Sequence, residues 1–416
     1  MRNHSDVLVV GGGVIGAACA YYLAREGKYV RIIEQDKIGS GASHGNCGLI
    51  FISHLFPLCA PGAIADAVKN MFSRSSPLYI KPVPDLQRLI WFLNFAGKCT
   101  PGHLKHAVGA RLRMLRLSEA LYADFFETEK IECDYEQRGI LVVFKSEAAM
   151  QTYTRINDYL KQFDMEARPF VGDALLQMEP ALRDDVYGGW YHAMDSHLRP
   201  DHFLREFKQV LIQKGVAVEE NCRLLNLHSG VGMITRAETS SGIYTADAYI
   251  LAAGAWTPEI FQKLKLKLPI QPGKGYSITM ARPALCPKIP CIFEEKSVVA
   301  TPWESGYRLG GTMEFSGLNT RLVTKRIQNL KDGAREYLKE PIGEPIHEEW
   351  VGMRPMVYDD LPVIDRVPGQ RNLLLAAGHG MMGISLAPAT GKLRADLVVG
   401  RHPHIDISPI NIMRFQ

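Results

Sequence analysis

The side chains and glycines that could do chemistry in this sequence point to recognition, of phosphate near one end and of a carboxylate near the other. Gly11, Gly13 and Gly16 stand as G-x-G-x-x-G, and Glu34 follows eighteen residues after the third glycine. In such a run the first glycine permits a tight turn, the second lets backbone approach a pyrophosphate, and the third lets a helix close on a strand. N–H groups at the helix start would hold the phosphates, and Glu34 would accept hydrogen bonds from a ribose hydroxyl. Arg354, in Gly-Met-Arg-Pro, carries a planar guanidinium suited to two parallel hydrogen bonds with a carboxylate. Its alternative is a salt bridge to Glu348, Glu349, Asp359 or Asp360. Tyr276, in Gly-Lys-Gly-Tyr, either packs as a large aromatic or places its hydroxyl on the same carboxylate. His379 either bonds locally in a turn or polarises a ligand. His54 is a further contact candidate, and Arg199 reads as an ion pair with Asp195 or Asp201.

These residues need elements to hold them. Asp6–Val10 is a short apolar run fit for a buried strand. Helical spacing follows through Val14, Ala18, Tyr21, Tyr22 and Ala24, with Gly27 as the stop; Val30–Ile33 then reads as a second strand. Residues 39–48 (GSGASHGNCG) form a small-residue loop where backbone can pass close to a ligand. Residues 85–97 are apolar on nearly every side if helical, which predicts burial or a partner surface. Residues 104–129 predict an amphipathic helix whose Arg111, Arg113 and Arg116 are solvated. Residues 139–145 and 186–192 read as strands with no helix directly after them, hence an antiparallel sheet. A helix from His202, a strand at 216–221 and two buried strands, Tyr249–Gly254 and Asn372–Gly378, restore the α/β pattern. Both last strands end in Ala-Ala-Gly, and the second runs into His379–Gly383 and a helix beginning near Leu386–Ala389. Ligands of open α/β sheets sit at such strand ends. The fold class is thus α/β: a discontinuous Rossmann-like domain over 1–50, 195–268 and 350–416, and a substrate domain with antiparallel or mixed sheet and helices over 51–194 and 269–349.

Composition narrows the function further. The 416 residues exceed one ordinary core. A net charge of +4 without a Lys/Arg block argues against nucleic acid. A polar MRNHSD leader gives no sign of a signal peptide, and no run of eighteen apolar residues is available to span a membrane. Eight scattered cysteines without C-x-x-C predict a reducing compartment and no metal site.

The ordered stations GSGAS at 39–43, ILAAGAWT at 250–257, VGMRPMVYDDLPVID at 351–365 and AAGHGMMGISLAPATG at 376–391, together with the N-terminal fingerprint, resemble the D-amino-acid oxidase superfamily of FAD enzymes. Within it, HGNCGLI at 44–50, APGAI at 60–64, SPLYIKP at 76–82 and GKGYSI at 273–278 are similar to the bacterial D-amino-acid dehydrogenase branch. The resemblance implies FAD contacts at Gly11, Gly13, Val14, Ile15, Gly16, Glu34, Gln35, Ser40, Gly41, Ala42, Ser43, Gly48, Leu224, Ala253, Gly254, Gly378, Gly380, Met381, Met382 and Gly383. It implies Arg354 as the carboxylate anchor and His379 beside the flavin, where it could steady the reduced anion. Some members carry a substrate-contacting arginine where this chain has Met381, so the pocket is expected to be less polar. His54 and Tyr79 fall in the segment expected to cover that pocket. Other branches attach flavin through Cys or His; His44 and Cys47 lie in the nearby loop off the linking position and are expected to shape the pocket.

The implied activity is FAD-dependent oxidative deamination of D-amino acids, D-proline-like imino acids among them, to imines or 2-oxo acids. Electrons pass to a quinone or another carrier. The alternatives are a glycine or sarcosine oxidase using oxygen, and a silent flavin-retaining accessory subunit. The expected setting is cytoplasmic, either free or peripheral on the inner face of the cell membrane, where Phe51, Leu55, Phe56, Leu89, Trp91, Phe92 and Phe95 would be core or contact surface. Oligomeric state is left open.

Overall fold

The structure is a computed structural model that describes residues 3–65, 77–82 and 84–415. Ser76 of the SPLYIKP motif and residues 66–75 of the expected covering segment lie outside the described residues.

A strand over His4–Val10 (β1), a helix over Val14–Arg25 (α1) and a strand over Val30–Ile33 (β2) form a parallel unit, with Val7 opposite Val30 and Val10 opposite Ile33. The C-terminal half of Gly242–Leu251 pairs parallel to the other side of β1, and Leu373–Ala377 pairs parallel beyond it. Ala217–Glu219 closes the β2 edge, Val363–Arg366 adds an antiparallel edge, and Leu224–Ser229 with Ile234–Thr239 extends Gly242–Leu251 as a meander. In register, Val10, Ile33 and Leu251 end side by side, so Gly11, Glu34 and Ala252 open on one edge.

Two buried helices cover one face of this sheet. Gly383–Val398 crosses α1 closely enough that a Cβ on Gly391 would fall 2.5 Å from the Ala18 carbonyl oxygen. It begins three residues before the expected start. Pro101–Glu129 packs against it, with Thr100 accepting the His103 N–H as N-cap. This helix is amphipathic as its spacing predicts, but Arg111 is not solvated. It is 3% exposed, pairs with Asp360 and donates to the Phe56 carbonyl at 2.6 Å. The cost of burying that charge is offset by the Asp360 ion pair and the charge-assisted bonds from Nη1 and Nη2 to the Phe56 and Asp360 carbonyls.

The second sheet runs Ile346–Val357, Ile270–Met280, Gly306–Phe315, Val298–Trp303, Cys291–Phe293, Ile140–Phe144, Gly188–His192, Arg168–Val171. Its pairings are antiparallel except that between Cys291–Phe293 and Ile140–Phe144; Leu78–Ile80 also joins Gly306–Phe315 in parallel. Residues 350–357, expected with the nucleotide domain, pair here with Ile270–Met280, and Pro101–Glu129, expected with the substrate domain, lies in the core of the parallel sheet. The helix Leu86–Lys98 buries Trp91 while Leu86, Leu89, Ile90 and Leu93 are each about half exposed or more. Apolarity all round that helix therefore does not mean burial all round. By contrast Phe51, Ile52 and Leu55 are core.

Candidate active site

A cavity of about 1170 Å³ runs from the glycine turn of β1–α1 to the cavity-facing side of the antiparallel sheet. At its first end the glycines act through space. A Cβ on Gly11, whose φ is +105°, would meet the Ala252 carbonyl oxygen at 2.5 Å; one on Gly16 would meet the Gly11 oxygen at 1.9 Å. Gly13 is the N-cap of α1 and carries no side chain to satisfy it, and the Val14 N–H donates to Ser43 Oγ at 3.0 Å. First-turn N–H groups beyond Val14 are therefore left for a ligand. A Cβ on Gly13 would stand 3.3 Å from Ser43 Oγ, in the space a phosphate would take. Glu34 accepts from the Gly12 N–H at 2.7 Å and the Asp36 N–H at 3.0 Å, which fixes the carboxylate at the strand end while burial pushes its pKa up. This arrangement fits a dinucleotide.

The expected nucleotide contacts line this cavity, Leu224, Ala253 and Gly254 among them, except Gly16 and Gly378. Gly16 serves packing of α1 on the turn. Gly378, at φ +74°, has its would-be Cβ 2.6 Å from Val357 and serves packing between the two sheets. The loop 39–48 is held from the antiparallel sheet. Arg308, fully buried, donates to the carbonyls of His44 (3.1 Å) and Asn46 (2.7 Å), and Thr301 donates to the Cys47 carbonyl at 2.9 Å. His44 pairs with Glu348 at 2.9 Å, and burial raises the Cys47 thiol pKa.

Arg354 sits at the other end. Its guanidinium lies over Gly275, where a Cβ would come within 2.3 Å of Nη1, and Nη1 donates to the Thr312 carbonyl at 2.8 Å. The four carboxylates expected as rivals are engaged elsewhere: Glu348 with His44, Glu349 with Lys331, Asp359 with Arg414, Asp360 with Arg111. Among the described residues no carboxylate pairs with Arg354, and desolvation pulls its pKa down. A desolvated cation without a counter-anion, on a cavity wall, has the chemistry to hold a carboxylate.

Tyr276 departs from its expectation, and His379 takes the local bond. Tyr276 is 1% exposed, belongs to the core on the far face of its strand, and donates its hydroxyl to Glu314 at 3.0 Å. Arg354 pairs with Gly273 and its guanidinium lies over Gly275, so Tyr276, one residue on, points its ring away. His379 is 5% exposed, and burial drives its pKa down to about 3. Thr390 Oγ1 spends its proton on the Leu386 carbonyl, so it accepts from His379 Nε2–H at 2.9 Å. Burial thus disfavours a charged ring, its Nε2–H is committed to Thr390, and His379 lines the cavity. His54 lines the cavity beside Phe51, with its pKa likewise lowered to about 3 by burial. Met381 lines the cavity as an apolar residue, and Tyr79 is 37% exposed. Arg199 pairs with Asp201 at 3.0 Å.

Several groups hold a place in the cavity or its surroundings that the sequence reading did not give them. Trp91, Phe92, Phe95, Met313, Phe315 and Met356 build an apolar arm of the cavity beside Arg354. Trp350 is wedged where a Cβ on Gly45 or Gly352 would collide with it. Ser53 Oγ donates to Asp195 Oδ2 at 2.7 Å and meets His192 Nδ1 at 2.8 Å, while Tyr153 Oη meets His192 Nε2 at 2.8 Å. Here the serine stands between histidine and aspartate, so the acid does not orient the imidazole and no hydrolase triad forms. Among the described residues there is no metal-ligating cluster, and no helix is long and apolar enough to cross a membrane.

Comparison with known proteins agrees with the cradle. The FAD dependent oxidoreductase family matches residues 6–397. A D-amino acid dehydrogenase of Dechloromonas aromatica (strain RCB) is 30% identical over 95% of this chain and 97% of its own length. One from Allorhizobium ampelinum is 29% identical over 98% of each. In fold, the crystal structure of glycine oxidase from Geobacillus kaustophilus superposes with a TM-score of 0.81 at 22% identity, covering 99% of both chains. The L-proline dehydrogenase from P. horikoshii gives 0.74 at 18% identity, covering 100% of both. With a dinucleotide cradle at the strand ends and a family match over nearly its whole length, the chain belongs to the FAD-dependent oxidoreductases, and its cofactor is FAD.

Proposed function

We propose that this protein is a D-amino-acid dehydrogenase in which the α1 turn, Glu34 and Leu224 hold FAD and Arg354 holds the substrate carboxylate. The observation that carries the reading is the unpaired Arg354 guanidinium on the same cavity wall system as the glycine cradle. The D-amino acid dehydrogenases similar over nearly their full length support the substrate class. FAD supplies the hydride acceptor when bound. The protein then has to bind and align: Arg354 fixes the carboxylate end, and the aromatic and methionine arm excludes water around the carbon to be oxidised. Positive potential beside a bound flavin would come from the N-terminus of helix Gly383–Val398, since burial disfavours a charged His379. The working division is a nucleotide part built on the parallel sheet and a substrate part built on the antiparallel one. Electrons leave to a quinone or membrane-linked carrier; support comes from helix Leu86–Lys98, whose inner face lines the cavity through Trp91, Phe92 and Phe95 while Leu86, Leu89, Ile90 and Leu93 face outward.

Anaerobic mixing of the holoenzyme with D- and L-amino acids, glycine and sarcosine tests the assignment. D-amino acids should bleach the flavin. Bleaching by glycine and sarcosine alone would move the assignment to that oxidase class, and bleaching by nothing would make the chain an accessory flavoprotein.

A further inference from the structure

The antiparallel sheet places a second charged group opposite Arg354. On its cavity face the register sets Trp350, Ser277, Gly310, Val299, Ile292 and Val142 in one row across six strands. The neighbouring row holds Gly352, Gly275, Thr312, Ser297 and, at its far end, Glu294. The row between the ends is made of small residues, and the Arg354 guanidinium lies on it at Gly275. Glu294 is exposed, yet its surroundings are the cavity wall, which it lines beside Ser297 and Tyr153. It has no hydrogen bond or ion pair among the described residues. Its neighbour Glu295 is used structurally, accepting from the Lys145 N–H at 2.9 Å and the Tyr337 hydroxyl at 2.6 Å. Besides Glu34 and Asp36 at the glycine turn and Arg223, Glu259 and Lys263, the charged residues on the described cavity wall are Arg354 and Glu294.

We propose that Glu294 recognises a cation on the substrate side chain, so that the preferred substrates are D-amino acids bearing a side-chain ammonium or guanidinium. Three strand spacings separate the strand of Gly275 from Glu294, about 14 Å between backbones. The α-nitrogen of a substrate clamped on Arg354 lies only about 2.5 Å from its carboxyl carbon, too close to span that row, by ordinary bond lengths. A cation several bonds further out does span it. This inference rests on the dehydrogenase reading above.

The test is steady-state turnover of the FAD-loaded protein with D-lysine, D-ornithine, D-norleucine and D-glutamate, using a dye acceptor. D-Lysine should exceed D-norleucine in kcat/KM by at least about tenfold, the scale of one charge-assisted hydrogen bond. Glu294→Gln should collapse that ratio, and Glu294→Lys should invert selectivity toward D-glutamate. Flavin content of each variant reports folding. Equal kcat/KM for D-lysine and D-norleucine in the unmodified protein would overturn the inference while leaving the dehydrogenase reading intact. A uniform loss across all substrates in Glu294→Gln would also overturn it, since the carboxylate would then meet the α-nitrogen. Failure of every D-amino acid to reduce the flavin would instead sink the underlying reading.

Discussion

Replacing Arg354 by methionine should separate activity from stability. The guanidinium faces the cavity without a counter-anion, and desolvation disfavours its charge. Removing it relieves that cost, while the Thr312 carbonyl loses its donor at a cost of about 1–3 kcal/mol. Methionine also suits a wall that already contains Met313 and Met356. The two changes oppose each other, so the substrate-free thermal midpoint should move little. Activity should not be spared. Truncating one partner of a desolvated charge pair costs ~3–5 kcal/mol, or roughly a hundredfold to several thousandfold in kcat/KM. Arg354→Lys should recover part, because a point charge replaces a fork. Gly275→Ala should mimic the loss from a neighbouring strand, since its Cβ would displace the guanidinium. The assay is dye-coupled kinetics with flavin content and melting measured on the same samples. A near-normal KM for a D-amino acid in Arg354→Met would refute the anchor, as would a collapse of flavin binding.

Gly13→Val should yield folded protein without FAD, because the added branches enter the space over the α1 N-terminus; flavin absorbance against circular dichroism checks this, and a yellow variant would refute the cradle. Asp195 is pushed up to about 7, chiefly by burial, against roughly 3.9 when unfolded. Between those values the unfolded chain releases a proton that the folded one keeps, so stability falls as pH rises through the window, by up to roughly 4 kcal/mol. Asp195→Asn should flatten that decline in urea titrations from pH 4.5 to 7.5, and an unchanged slope would contradict it. Leu89→Glu with Leu93→Glu should lower sedimentation with membranes and reoxidation by short-chain quinones; rapid peroxide formation in air with no gain from quinone would exclude that acceptor.

The parallel unit was legible because its causes are local. Glycine spacing, an apolar strand, a helix stop and an acid at the second strand end all lie within residues 6–34, and each acts on its neighbours. Arg354 stood out for a different reason, its motif, and the structure adds why it lacks a counter-anion: each nearby acid is claimed by another cationic side chain. What the sequence could not offer was the face of a strand. Tyr276 and Gly275 are adjacent and both border the cavity, and only the pairing with Ile346–Val357 decides that the tyrosine ring turns to the far-side core. A one-residue choice of face exchanges a phenol for an empty floor over which a guanidinium can lie. Glu294 is the same problem at the next level. Two consecutive glutamates are indistinguishable in sequence, yet the hairpin turn after Cys291–Phe293 sends one to Tyr337 and the other to the cavity. The selectivity proposed for Glu294 therefore depends on the register of a sheet assembled from distant segments. A specificity change should follow from exchanging the small residues of that row, and sequence motifs around the flavin would not register it.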